Sequence, residues 1–123
     1  MTVQELYEKI DGSYDQAVRI MRMDKLIDKH IRRFGDSGVL ESLQDAGETM
    51  DAKALFEASH ALKGISANLG LAKLSSAASE ISEEFRPGNP RLHTDEEVKA
   101  MLDNIYELYQ KTVDGIKDYV NGL

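Results

Sequence analysis

Within the stretch DAKALFEASHALKGISANL, residues 51–69, His60, Lys63 and Gly64 stand at positions i, i+3 and i+4. On a helix those three are neighbours on one face. A solvated imidazole titrates at roughly pH 6.5, so an exposed histidine is mostly uncharged and nucleophilic at neutral pH. The Lys63 ammonium could meet a phosphoryl or carboxylate group beside it. Glycine inside a helix costs about 1 kcal/mol relative to alanine, and no turn is needed at position 64. Its missing side chain leaves open volume next to the imidazole. With Ala67 one turn further, that volume could admit the backbone of another protein. The constellation is a nucleophile, a cation and a clearing.

Set on a wheel at about 100° per residue, Leu55, Ala58, Leu62, Ile65 and Leu69 fall within one arc about 80° wide, the expected core face. His60 lies about 170° from the middle of that arc and is expected to face solvent on a helix held rigid by packing on its other side. Phe56 shares the His60 face, where it either docks a partner or packs on a neighbouring helix. Lys53 and Glu57 read as a solvated i, i+4 pair. His30, beside Leu26, Ile27, Ile31 and Phe34, is expected to be a half-buried packing residue, and His93 to be exposed ahead of a helix cap. The three histidines share no i, i+4 spacing, so a zinc site is not expected. GISANLG lacks the Gly-Lys-Ser/Thr ending of a phosphate-binding loop. No serine, aspartate or second histidine stands beside His60 at a triad-like spacing, which disfavours a hydrolase.

The elements that must position this face are helices. The two prolines, Pro87 and Pro90, both lie in RPGNPRLH, and no stretch alternates like a strand. Thr2 with Glu5, Ser13 with Gln16, and Thr94 with Glu97 have the capping-box spacing. Helices are therefore predicted at about 2–10, 14–33 (as one piece or two), 37–47, 51–69, 71–86 and 94–120. Leu71, Leu74, Ala78, Ile81 and Phe85 form one apolar stripe. Val98, Leu102, Ile105, Tyr109, Val113, Ile116 and Val120 form another. Short connections around Gly47 to Met50 and at Gly70 predict antiparallel, up-and-down packing, with segment 14–33 as the remaining side. The expected fold is all-α: a single domain over 1–123, made of a four-helix bundle over about 14–120 and an additional N-terminal helix over about 2–10.

Composition narrows the function classes. A chain of 123 residues supports one hydrophobic core, and a net charge of −7 disfavours nucleic acid. There is no cysteine, hence no disulfide framework, thiolate metal site or cysteine nucleophile. No run reaches the roughly 18 apolar residues of a membrane span. A soluble, cytoplasmic protein with protein partners is expected. The capped first helix further suggests a free-standing chain.

His60, Leu62, Lys63, Gly64 and Gly70 in HALKGISANLG match H-x-L-K-G-x-x-x-x-x-G, and the chain from about residue 10 onward resembles the histidine-containing phosphotransfer (HPt) domain family. The LxxL run after Gly70, the helix-loop with Asp51 and the chain length are similar too. The resemblance implies a phosphorelay carrier rather than a turnover enzyme: His60 as phosphoacceptor, Lys63 as the nearby cation and Gly64 as the space-giving residue. It implies receiver domains of response regulators, or a hybrid histidine kinase, as partners. Phe56 and Ala67 are then candidate docking residues. No cofactor or metal is expected in this chain, which is expected to act as a monomer, and Mg²⁺ would belong to the receiver's acidic site. Many members carry an acidic residue just after the position matched by Ile81. Here Ser82 and then Glu83 follow, and neither receives a role. An adaptor that docks a receiver or kinase without carrying phosphate is the alternative.

Overall fold

The computed structural model describes residues 1–122. Seven α-helices and one 3₁₀ turn account for most of them: α1 Val3–Lys9, α2 Tyr14–Met21, α3 Asp24–Ile31, the 3₁₀ turn Phe34–Ser37, α4 Val39–Thr49, α5 Ala52–Asn68, α6 Ala72–Phe85 and α7 Asp95–Val120. No strand occurs among the described residues. The ends follow from local chemistry. Thr2 and Thr94 both close reciprocal capping boxes with Glu5 and Glu97. Asp51 Oδ1 accepts from the Ala54 N–H at 3.2 Å and starts α5.

Segment 14–33 is two helices. Arg22 adopts a left-handed conformation (φ 76°) at the end of α2, and Met23 is extended ahead of α3. These helices do not form the missing side of the bundle. That side is α4, which packs on both α5 and α7, while α6 packs on α5 and α7. Helices α1 to α3 gather instead around the C-terminal end of α5 and the C-terminal half of α7, because their apolar residues Leu6, Tyr7, Ile10, Ala17, Ile27 and Ile31 are too few and too short in reach to span the bundle. Buried side chains from all seven helices meet in one cluster.

The predicted stripe of α6 is buried throughout. In α7 the stripe is buried from Val98 to Tyr109 and again at Ile116, but Val113 is half-buried and Val120 is exposed. The helix outlasts the bundle, so its last turns meet only the N-terminal helices. Gly115 permits that meeting, since a Cβ there would stand 2.4 Å from Ile10 Cγ2. His30 is exposed rather than half-buried, because only Ile27 and Ile31 of α3 reach the core and Leu26 is itself exposed.

On α5 the buried residues are Leu55, Ala58, Ser59, Leu62, Ser66 and Leu69. Ile65, expected in the core, is only partly buried, and the buried arc is rotated by about 30° toward Ser59 and Ser66. Two small hydroxyl residues, Ser59 and Ser66, thus take the buried side of the helix in place of Ile65. Ser59 satisfies itself by donating to the Leu55 carbonyl at 2.6 Å.

Candidate functional site

Both ends of α5 are tied down, which makes its exposed face a rigid platform. At the C-terminal end a Schellman arrangement forms, with Leu71 N–H donating to Ser66 O and Gly70 N–H to Ala67 O. Gly70 takes φ +69°, and a Cβ there would lie 2.4 Å from Ser13 O, so only glycine fits. The N-terminal segment then donates to three carbonyls at this end of the helix. Tyr7 Oη donates to Leu69 O at 2.6 Å, Ser13 N–H to Gly70 O at 2.7 Å and Gln16 Nε2 to Ala67 O at 3.0 Å. Burial pushes the Tyr7 phenol up, which keeps it a neutral donor. The expected capping box at Ser13 is therefore half-made. Ser13 Oγ accepts from the Gln16 N–H, but the Gln16 side chain reaches across to α5 instead of back to Ser13.

On this platform His60 is exposed, as expected from the wheel, and Gly64 beside it is open: an added Cβ would meet nothing within 4 Å. Lys63 is half-buried, and its main-chain carbonyl accepts from Ser75 Oγ of α6 at 3.4 Å. Its charge also acts on α6. The Glu83 carboxyl is held below its ordinary value, first by hydrogen bonds from Arg86, against some desolvation, with a smaller share from Lys63. Ala67 is half-buried one turn beyond Gly64. Lys53 and Glu57 are exposed and form no ion pair among the described residues.

Phe56 is neither free nor fully packed. It is half-buried, and its ring stacks on the His60 imidazole with centroids 5.5 Å apart and planes at 21°. The Arg86 guanidinium carbon lies 5.7 Å from the Phe56 centroid. Sequence reasoning left Arg86 out altogether. Its place beside Phe56 depends on how α6 ends against α5, and nothing in the spacing of either segment announces it.

Ser82 is fully buried and its hydroxyl has no partner, so it does not reach the His60 face. A concavity of about 1060 Å³ along α6 and α7 has Lys63 among its walls but not His60. The imidazole is thus open to a macromolecule rather than enclosed around a small substrate. Among the described residues no group of three or more His, Asp or Glu is arranged to hold a metal ion. No helix of the described residues is long and apolar enough to cross a membrane.

A second polar cluster, also missed in the sequence, closes the α6–α7 connection. The Glu84 side chain is 1% exposed. It accepts from Arg91 Nε at 3.0 Å and from the Leu92 and His93 N–H groups, and Oε1 lies 2.9 Å from His93 Nδ1. Burial pushes this carboxyl up, but the bonds from His93, Arg91 and Leu92 outweigh it and hold it at about 2. His93 is raised in turn, mainly by its bond to Glu84. Its exposed ring agrees with expectation, whereas its anchoring nitrogen was not foreseen.

The structure is an all-helical bundle that displays His60 beside an open glycine, on a helix clamped at both ends. Residues 37–110 match the Hpt domain family, and the chain belongs to that family. Domains of this family carry phosphoryl groups on histidine in two-component signalling, where they meet receiver domains and kinases. The match covers α4 to the middle of α7 and includes His60, whereas α1 to α3 lie outside it. No curated protein and no solved structure gives a significant match.

Proposed function

We propose that residues 1–123 form one phosphotransfer domain that accepts a phosphoryl group on His60 from the aspartyl phosphate of a receiver and passes it to another receiver. The observation that carries this reading is the exposed His60 imidazole beside the unfilled space at Gly64, on a helix whose termini are anchored. The attacking nitrogen needs its lone pair, so the ring proton sits on the other nitrogen. The N–P bond forms as the bond from phosphorus to the aspartyl oxygen breaks, and the carboxylate leaves with that electron pair. Onward transfer runs the same exchange with a second aspartate. Positioning and charge neutralisation supply most of the catalysis, and the receiver's own acidic site holds the Mg²⁺. This chain needs no cofactor.

Lys63 is the cation nearest the phosphoryl group by helical spacing, and Gly64 and Ala67 form the floor on which the receiver docks, with Phe56 at its border. The protein acts as a cytoplasmic monomer, a carrier without turnover chemistry, between a response regulator and its partner receiver or hybrid kinase. Incubation with a radiolabelled phospho-receiver tests this. Label is expected on the wild-type chain and none on His60→Gln. Undiminished labelling of His60→Gln, or none of the wild type, would sink the reading. Receiver binding that persists in both without label would instead make the chain a docking adaptor.

A further inference from the structure

Among the described residues neither ring nitrogen of His60 has a hydrogen-bond partner, yet the imidazole is not adrift. It lies against Phe56, one turn earlier in α5, in a nearly parallel stack. Aromatic pairs at centroid separations of roughly 4.5–7 Å attract beyond the effect of burying their area. Phe56 is itself fixed: it packs on the hydrophobic cluster, and Arg86 lies over its ring at a cation–π distance. Arg86 is held in place by Glu83 Oε1, through Nε at 3.2 Å and Nη2 at 2.8 Å. A connected series of side chains therefore runs from Glu83 through Arg86 and Phe56 to His60. No hydroxyl or carboxyl from α6 competes for the imidazole, since Ser82 is sealed in the helix interface.

We propose that Phe56 is the positioning residue for His60, with Arg86 holding Phe56. The stack sets the plane of the imidazole without occupying either nitrogen. One nitrogen is left to attack phosphorus while the other exchanges its proton with water. Orientation by a ring face holds either tautomer equally, so the proton can move to leave the attacking nitrogen its lone pair, which a hydrogen bond to one nitrogen would oppose. Gly64 leaves space on the same helix face, so the ring is steered by Phe56 and left uncrowded one turn beyond. The proposal rests on the phosphotransfer reading for its kinetic part alone.

The test compares wild type, Phe56→Leu, Phe56→Tyr and Arg86→Gln by two routes. The first is NMR of the unphosphorylated protein, reading the His60 ring-proton shifts and the couplings that report its χ1 angle. The second is labelling by a phospho-receiver over a concentration series and by phosphoramidate, a small donor that needs no docking surface. Phe56→Leu is expected to move the ring-proton shifts, average the χ1 couplings and slow both the saturated receiver reaction and the phosphoramidate reaction roughly two- to tenfold. The KM for the receiver should stay within about twofold, the mark of a lost positioning effect rather than lost binding. Phe56→Tyr should restore both readouts, and Arg86→Gln should reproduce part of the loss. Unchanged couplings in Phe56→Leu would overturn the proposal. So would a loss confined to KM with the phosphoramidate rate intact, which would make Phe56 a docking residue. Absence of transfer in the wild type would refute the phosphotransfer reading, while the NMR comparison would still decide the stack.

Discussion

Glu84 Oε1 lies 2.9 Å from His93 Nδ1, so a buried carboxylate on α6 and an exposed imidazole just before α7 are joined across the proline-containing connection. Arg91 bridges the same carboxylate to Asp95 at the start of α7. The connection is thereby closed by charge rather than by apolar packing, which leaves Leu92 79% exposed.

That closure is pH-dependent, with a sign for each partner. Glu84 is held at about 2 against an ordinary 4.5, so its contribution is present above about 4.5 and is lost as pH falls toward 2. His93 is raised above its ordinary 6.5, so its contribution is full below 6.5 and is lost as pH rises through its elevated value. The latch is strongest between about 4.5 and 6.5. Thermal melts across pH should show Glu84→Gln flattening the acid limb and His93→Ala the neutral limb. At pH 6 Glu84→Gln should cost about 2 kcal/mol, because an amide turns one donor toward N–H groups that need an acceptor.

Gly64 and Gly115 are both helical glycines with opposite reasons for being there. Gly64→Ala should stabilise the protein by about 1 kcal/mol in urea unfolding, since nothing opposes the added methyl group. Gly115→Ala should destabilise it by about 1–3 kcal/mol, because its Cβ would be driven into Ile10. Gly64→Trp should keep or exceed the stability of the wild-type protein while impeding phosphotransfer. Full transfer by Gly64→Trp would remove the argument that this glycine is kept for access.

Lys63 is expected to tune the proposed site rather than decide it. Exposed charge pairs are worth about 0–1 kcal/mol, so Lys63→Ala should slow transfer, or shorten the lifetime of the phosphohistidine, by no more than about fivefold. Abolition would show that the ammonium makes a contact in the transition state which the ground-state geometry does not contain.

The buried, partnerless hydroxyl of Ser82 offers a control for the His60 face. Ser82→Ala removes a donor that has nowhere to donate and should raise stability by about 1 kcal/mol. Transfer kinetics should be unchanged. A loss of transfer would mean that Ser82 reaches the imidazole after all.

Much of this was legible in local spacing. The i, i+3, i+4 relation of His60, Lys63 and Gly64 holds on any helix, and the capping boxes at Thr2 and Thr94 involve residues three apart. At two sites expectation and structure parted because a residue took a distant partner over a local one. Gln16 left its own cap for Ala67, 51 residues away, and His93 turned toward Glu84. Ile65 is only partly buried while Ser59 and Ser66 are buried, a rotation of the face that depends on the neighbouring helices, which no wheel contains.

The sequence by itself determined the helices, their apolar stripes and the exposed histidine beside its glycine, because each depends on periodicity within a single element. Only the tertiary structure decided which helix completes the bundle, that residues 7–16 cap the end of α5, and that Arg86 and Phe56 stand behind His60. Tyr7 and Leu69 are 62 residues apart. Contacts at such separations form only after whole helices have packed, and the packing is decided by the summed burial of all their faces rather than by any one of them.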